Sequence, residues 1–373
     1  MALSPILVIG CGGSGGKVVL GLRRRLEEEL RRRGWDQGIP AAWQLKWIDV
    51  PAINESHSAF GPPLPLGDYV PLAPFDNYRL IDSALVQSAG GSVDRLVGWR
   101  PTPNLELPVS KGAGQMRGVG RAVALANTSK VTGMVESAFA AMAGGEAQLS
   151  QLGRQLNAAS EVSNTPTVFV VSSMAGGTGA GIFIDVCDVV RAMRPEVSKH
   201  IFGFLFTAEI FKGVGADGGM APNTIASLSE LVNGYLSVGR AAEPLYGGLG
   251  AVAATGKSGP SWPFVIGMQP MGGGAPLESP AQCYRAVTET ILASMTNERF
   301  MQDFVNYQVT NFGPNSNAEN RLILTGFPDL RRQYERNYDR HRGHAEVYRG
   351  KGEPPATGED EGEKPAPRRR RKG

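Results

Sequence analysis

Residues 172–184 read Ser-Ser-Met-Ala-Gly-Gly-Thr-Gly-Ala-Gly-Ile-Phe-Ile, and this stretch decides how the chain folds. Just before it, Val168, Phe169, Val170 and Val171 are β-branched or aromatic, which predicts a buried strand. The chain then turns through Gly176, Gly177, Gly179 and Gly181 into an apolar helix. Glycines so closely spaced let backbone amides approach a ligand. The following helix offers its positive end at the same point, and the Thr178 hydroxyl adds a donor. Ala175, Gly176, Gly177, Thr178, Gly179 and Ala180 therefore read as a cradle for a polyphosphate.

A second loop of this kind lies near the amino terminus. Ile6 to Ile9 reads as a short central strand, and Gly10, Cys11, Gly12, Gly13, Ser14, Gly15 and Gly16 open a helix running to about Arg33. The spacing Gly10-x-Gly12-x-x-Gly15 also fits dinucleotide-binding folds, in which Asp49, closing the next strand, would hold an adenosine ribose. Such a fold needs one glycine fingerprint and gives no reason for a second, and no acid–base pair for hydride chemistry is evident. An NAD-dependent enzyme stays open as an alternative. So does a nucleotide-free scaffold that keeps the fold for protein contact.

Composition narrows the class. The chain has 373 residues, 42% of them hydrophobic, enough for one large domain or two ordinary ones. No run of 18 apolar residues and no charged-then-apolar leader occurs, so neither a membrane span nor a secretory signal is expected. The three cysteines, Cys11, Cys187 and Cys283, lie far apart without metal spacing and read as reduced thiols in a cytoplasm. With four histidines and no ligand spacing, no protein-held metal site is expected. A net charge of +3 is too small to argue for nucleic acid. The 49 glycines, against a usual share of about 7%, fit a chain that uses backbone loops as its chemical tool.

Strands alternate with helices throughout, which predicts an α/β fold: a mainly parallel sheet with helices on both faces. The first helix places Val19, Leu22, Leu26 and Leu30 on one stripe, with Arg23/Glu27, Glu27/Arg31, Glu28/Arg32 and Glu29/Arg33 paired on its outer side. Further strands are expected at 44–48, 167–173, 201–207 and 263–268, and helices at 78–88, 118–143, 181–193, 222–238 and 280–307. Residues 51–110 and 240–280 read as insertions, and 144–165 as a loop with one exposed helical segment. Residues 343–373 carry acids, prolines and the run Arg368 to Lys372 with few apolar side chains, and read as a disordered charged tail that can engage an acidic partner.

Three segments together resemble the tubulin/FtsZ superfamily, and most closely its bacterial tubulin-like branch: Gly10 to Gly16, Lys111-Gly-Ala-Gly-Gln-Met-Arg-Gly-Val-Gly-Arg121, and Ala175 to Gly181. They match that family's first and third phosphate loops and its glycine-threonine signature, with Ala175 where the family has glycine. The resemblance covers about residues 5–310. It implies a nucleotide domain over 1–310, a remnant of the second domain at 311–342, and a cytoskeletal type of protein that binds GTP or GDP with Mg2+.

The resemblance also assigns residues. Gly112, Ala113, Gly114 and Gln115 would face the terminal phosphate, with Arg117 or Lys111 supplying charge, although a salt bridge is an equal reading of Arg117. Asp49 would meet a ribose or, through water, the Mg2+ ion; turn capping is its alternative. Glu209 falls where the family places an acid near the ribose, and Asn223 where it reads the guanine edge, unless Asn223 is a helix cap. Tyr284 and Thr288 lie four apart on one helix face, so a ring can stack on a purine while Thr288 bonds its edge. Family members carry Asn or Asp where Thr288 stands, which leaves the identity of the base open. For hydrolysis the family uses acids supplied by a neighbouring subunit. The matching loop here offers Glu319, with Asp303 earlier on the helix, so slow GTP hydrolysis is expected to depend on self-association or on a partner that supplies the acid.

Overall fold

The computed structural model describes residues 3–51, 59–73, 77–89, 100–156, 165–213, 218–236, 258–269, 275–297 and 300–301. The elements run β1 (Ile6–Cys11), α1 (Gly12–Arg32), β2 (Trp43–Asp49), β3 (Tyr69–Pro71), α2 (Tyr78–Ala89), α3 (Arg117–Ala126), α4 (Thr128–Gly144), α5 (Glu146–Gln155), β4 (Thr167–Ser173), α6 (Thr178–Met193), β5 (Ile201–Phe206), α7 (Met220–Leu236), β6 (Trp262–Ile266) and α8 (Pro280–Thr296). The strands form one sheet in the order β3-β2-β1-β4-β5-β6, and every neighbouring pair is parallel. The expected α/β class with a parallel sheet is what the chain adopts.

Alternation along each strand divides the core into two. Leu7 and Ile9 of β1, Val168 and Val170 of β4, and Ile201 and Leu205 of β5 pack on one face with Ile182, Val186 and Val190 of α6. Ile6, Val8, Phe169, Val171, Phe202 and Phe204 point to the other, against Val19, Leu22, Leu26 and Leu30 of α1 and Val287 and Ile291 of α8. A sheet apolar on both faces must be covered on both, which is why its strands carry continuous runs instead of polar alternation. Helix α6 is buried over most of its circumference, as expected of a central helix.

Five details differ from the sequence reading. The helix expected over 280–307 ends at Thr296, where Asn297 takes extended backbone angles. The helix expected over 118–143 breaks at Asn127, whose side chain donates to the Val123 carbonyl at 2.9 Å and closes α3 before α4 begins. The segment expected to be exposed in 144–165 is α5, and its Leu149 and Leu152 are fully buried. Strand β3 was not foreseen; its three residues pair with β2, and Tyr69 meets the Trp47 ring edge-on at 4.8 Å between centroids. On α1, Arg32 pairs with Glu29 at 2.7 Å instead of Glu28, which Arg25 holds at 2.9 Å. The second-domain remnant and the tail lie outside the described residues, as does most of the 240–280 insertion.

Helix α6 carries two carboxylates into the interior, and both are paired. Arg121 forks onto Asp185 at 2.9 and 3.0 Å. Asp188 accepts from Arg191 Nη1 at 2.9 Å, from the Ser258 hydroxyl at 2.6 Å and from the Gly259 amide at 2.8 Å, tying the start of the β6 segment to α6. Removing one member of such a set strands a buried charge, so Asp188→Ala is expected to cost about 3–5 kcal/mol in urea unfolding. Closer to the amino terminus, α1 lies hard against the sheet: a Cβ added at Gly15 would sit 2.3 Å from the Val171 carbonyl oxygen and 2.8 Å from Gly10 Cα. Gly15→Ala is expected to destabilise by about 1–3 kcal/mol or more through overpacking. Gly13→Ala, with nothing within 4 Å of the added atom, should hold or raise the melting temperature.

Candidate functional site

The parallel register sets Cys11 at the end of β1 beside Ser172 near the end of β4, so the loops that follow both strands emerge side by side at the carboxyl edge of the sheet. Helix α1 starts after Cys11, α6 after Gly177 and α3 after Met116. None of the three has a side-chain cap or an acid in its first turn. First-turn amides have no acceptor within their own helix, and the helix start carries partial positive charge. An anion placed there meets donors from three directions.

The glycines of these loops do two different jobs. Gly12, at φ 70°, would bring an added Cβ within 2.7 Å of the Gly179 amide nitrogen; Gly177 would strike Ala113 Cβ at 2.8 Å, and Gly120 the Gly177 carbonyl oxygen at 2.6 Å. These positions lock the loops onto one another. Gly13 and Gly176 have nothing within 4 Å of an added Cβ, so they front open space. Thr178, the first residue of α6, is buried beside Gly12.

The third loop is held in an unusual conformation. Gly114 at φ 55° is followed by Gln115 at φ 60°, a left-handed non-glycine residue that costs energy unless its surroundings impose it. Asn223 supplies part of that constraint. Its Nδ2 donates to the Gln115 carbonyl at 2.7 Å and to those of Ala175 and Gly176 at 3.1 and 3.4 Å, pinning the 175–181 loop to the third loop. Asn223 lies inside α7, with its amide bonded to Gly219, so the capping alternative is replaced by a role in joining loops. Arg117 forks onto Glu230 of α7, the salt-bridge reading, while Lys111 stays exposed.

Asp49 is buried at the end of β2, where its carboxylate accepts from the Val50 amide at 2.8 Å. Burial, aided by the Asp49 charge, pushes the Cys11 thiol far above its usual pKa, so this cysteine is inert. Glu209 follows β5 in a short 3-10 turn, Ala208–Phe211, and its carboxylate faces Gly267, where an added Cβ would lie 2.5 Å from Oε2. Both α8 residues expected to hold a base are packed. Tyr284 is 3% exposed, meets Phe206 and Phe60 edge-on at 5.0 and 5.8 Å, and shares a hydrogen bond with Ser14 at 3.1 Å. Burial pushes its hydroxyl up to about 12. Thr288 donates to the Tyr284 carbonyl at 2.8 Å and packs toward Gly21. Glu319 and Asp303 lie outside the described residues.

Lys17 was absent from the sequence reading. Its ammonium stands 5.7 Å from the centroid of the Tyr284 ring, and the signal that points to it is its place three residues after Ser14, on the same face of α1. Among the described residues no group of three or more His, Cys, Asp or Glu side chains is placed to hold a metal ion, and no helix is long and apolar enough to cross a membrane.

No curated protein matches the chain. Among solved structures it is similar to CetZ1 from Haloferax volcanii, a GDP-bound monomer, at 15% identity over 78% of this chain and 58% of that one, with a TM-score of 0.37. It is similar also to CetZ from Methanosaeta thermophila strain DSM 6194, at 10% identity over 85% and 57%, with a TM-score of 0.41. The chain thus spans under three fifths of either protein. A family model described as "Tubulin like" matches residues 7–338, a span that takes in all three glycine loops, and the chain belongs to that family.

Proposed function

We propose that this chain binds a guanine nucleotide, GTP or GDP, with its phosphates at the convergence of α1, α3 and α6. The observation that carries the reading is the pairing of three uncapped helix starts with two glycines, Gly13 and Gly176, that front open space while their neighbours are locked against other loops. Family membership supports guanine as the base. A phosphate fits the residues present: the loops at 12–15, 112–115 and 176–180 would offer it backbone amides, and a side chain at Gly13 or Gly176 would enter the open space in front of its loop. Mg2+ would be held mainly by phosphate oxygens and water, with Asp49 the carboxylate beside it. The base would lie toward Tyr284, and the ribose toward Glu209.

Hydrolysis of GTP is the finer part of this proposal. Phosphoryl transfer is mostly positioning and charge stabilisation, so a water-orienting acid is worth several orders of magnitude in rate. Glu319 and Asp303 are the candidates in this chain, and the reaction is slow unless self-association or a partner completes the set. The three buried, unpaired thiols support work in a reducing compartment such as the cytoplasm.

A dinucleotide reading draws on the same sheet order and on Asp49 at the end of β2. The glycine loop at 175–181, additional to the one at 10–16, and the family both favour the guanine nucleotide. Mass spectrometry of whatever copurifies separates the two and also tests for a nucleotide-free scaffold. Gly176→Val and Gly13→Val are expected to abolish GDP and GTP binding in calorimetry while leaving the melting temperature within a few degrees of wild type, because the new side chains enter only open space. Unchanged affinity in the folded variants would remove the phosphates from these loops.

A further inference from the structure

Half-buried cations on α1 are matched to carboxylates: Arg23 to Glu27, and Arg25 to Glu289 and Glu28. Lys17 is different. Its side chain is partly buried, burial lowers its pKa from the ordinary lysine value, and its one described contact is the face of the Tyr284 ring. No described carboxylate pairs with it. A helical side chain leans toward the amino end of its helix, which directs this ammonium to the Ser14 side of the first glycine loop, at the seam where Ser14 and Tyr284 are hydrogen-bonded.

The other polar groups at that seam are committed. The Thr288 hydroxyl is donated to its own helix, and the Tyr284 hydroxyl is shared with Ser14. Tyr284 is packed in this structure, so a purine reaches its ring face only by displacing the ammonium that covers it, and the ammonium then needs an acceptor beside the ring. An ammonium has donors only. A 6-oxopurine offers it the acceptors O6 and N7, whereas a 6-aminopurine sets an NH2 group against it.

We propose that Lys17 is the residue by which this chain selects a 6-oxopurine nucleotide, reading its O6 and N7 edge and leaving the 2-amino group unread. The proposal rests on the nucleotide reading given above, and its test keeps the two apart. Calorimetry with GDP, IDP, ADP and pyrophosphate is run on the full wild-type chain, Lys17→Met and Lys17→Arg, with melting temperatures alongside. The wild type is expected to bind GDP and IDP about equally, both at least about tenfold tighter than ADP. Lys17→Met should weaken GDP and IDP about ten- to a hundredfold, from the loss of one charge-assisted base contact, and leave ADP and pyrophosphate unchanged. Lys17→Arg should keep the preference for the 6-oxo group and serves as the control if Lys17→Met melts early.

Equal weakening of all four ligands would place Lys17 on the phosphates and overturn the proposal while leaving the nucleotide site standing. IDP binding far below GDP would overturn it too, since the 2-amino group would then be read by other residues. Unchanged affinities in Lys17→Met would do the same. A wild type that binds none of the nucleotides would remove the site itself.

Discussion

The pairing of β1 with β4 is the constraint on which the rest of the structure depends. These strands are neighbours in the sheet and run in the same direction, so two loops far apart in sequence leave the sheet together and their helices begin together. Backbone contact at that seam is closer than any side chain permits: Gly12 lies against Gly179, and Gly15 against Val171. The positive ends of α1 and α6 are thereby fixed in mutual register before any ligand arrives. Preorganisation of this kind removes the ordering cost that a flexible loop would incur on binding an anion.

Much of this was legible in the sequence. The runs Ile6–Ile9 and Val168–Val171 announced buried parallel strands, and the glycines after them announced the loops. Which glycine faces a neighbour and which faces open space was not legible, because that depends on what β4 and α3 bring alongside. Nothing in the sequence shows that the Gly177 carbonyl lies against Gly120. The sequence offers Asn223 as a reader of the guanine edge or a helix cap, and its partners, carbonyls from two loops distant in sequence, were not legible. Strand β3 escaped because three residues are too few to show a period, and its pairing rests on Trp47 and Tyr69 from different strands. Lys17 escaped for a related reason: its significance lies in α8, which packs across it.

In the proposed site the base side differs in kind from the phosphate side. Around the proposed phosphate position the donors are backbone amides, fixed by helix geometry and indifferent to side-chain identity. Around Tyr284 the groups are side chains already satisfied by one another. The first part is ready for an anion. On the proposed reading the second would exchange internal contacts for ligand contacts, which would make it the part where selectivity is set.

The division among the glycines also bears on how this family's sequences can drift. At Gly15 and Gly179 an added methyl group would meet main-chain oxygens that cannot move aside, so folding alone keeps those positions small, whatever the protein binds. Gly13 and Gly176 are under no such restraint, and a chain that had ceased to hold a ligand would be free to accumulate side chains there. Glycine retained at these two positions in a relative would therefore record an occupant of the open space, and its loss there, with Gly15 and Gly179 intact, would mark a lineage in which the fold outlived its ligand.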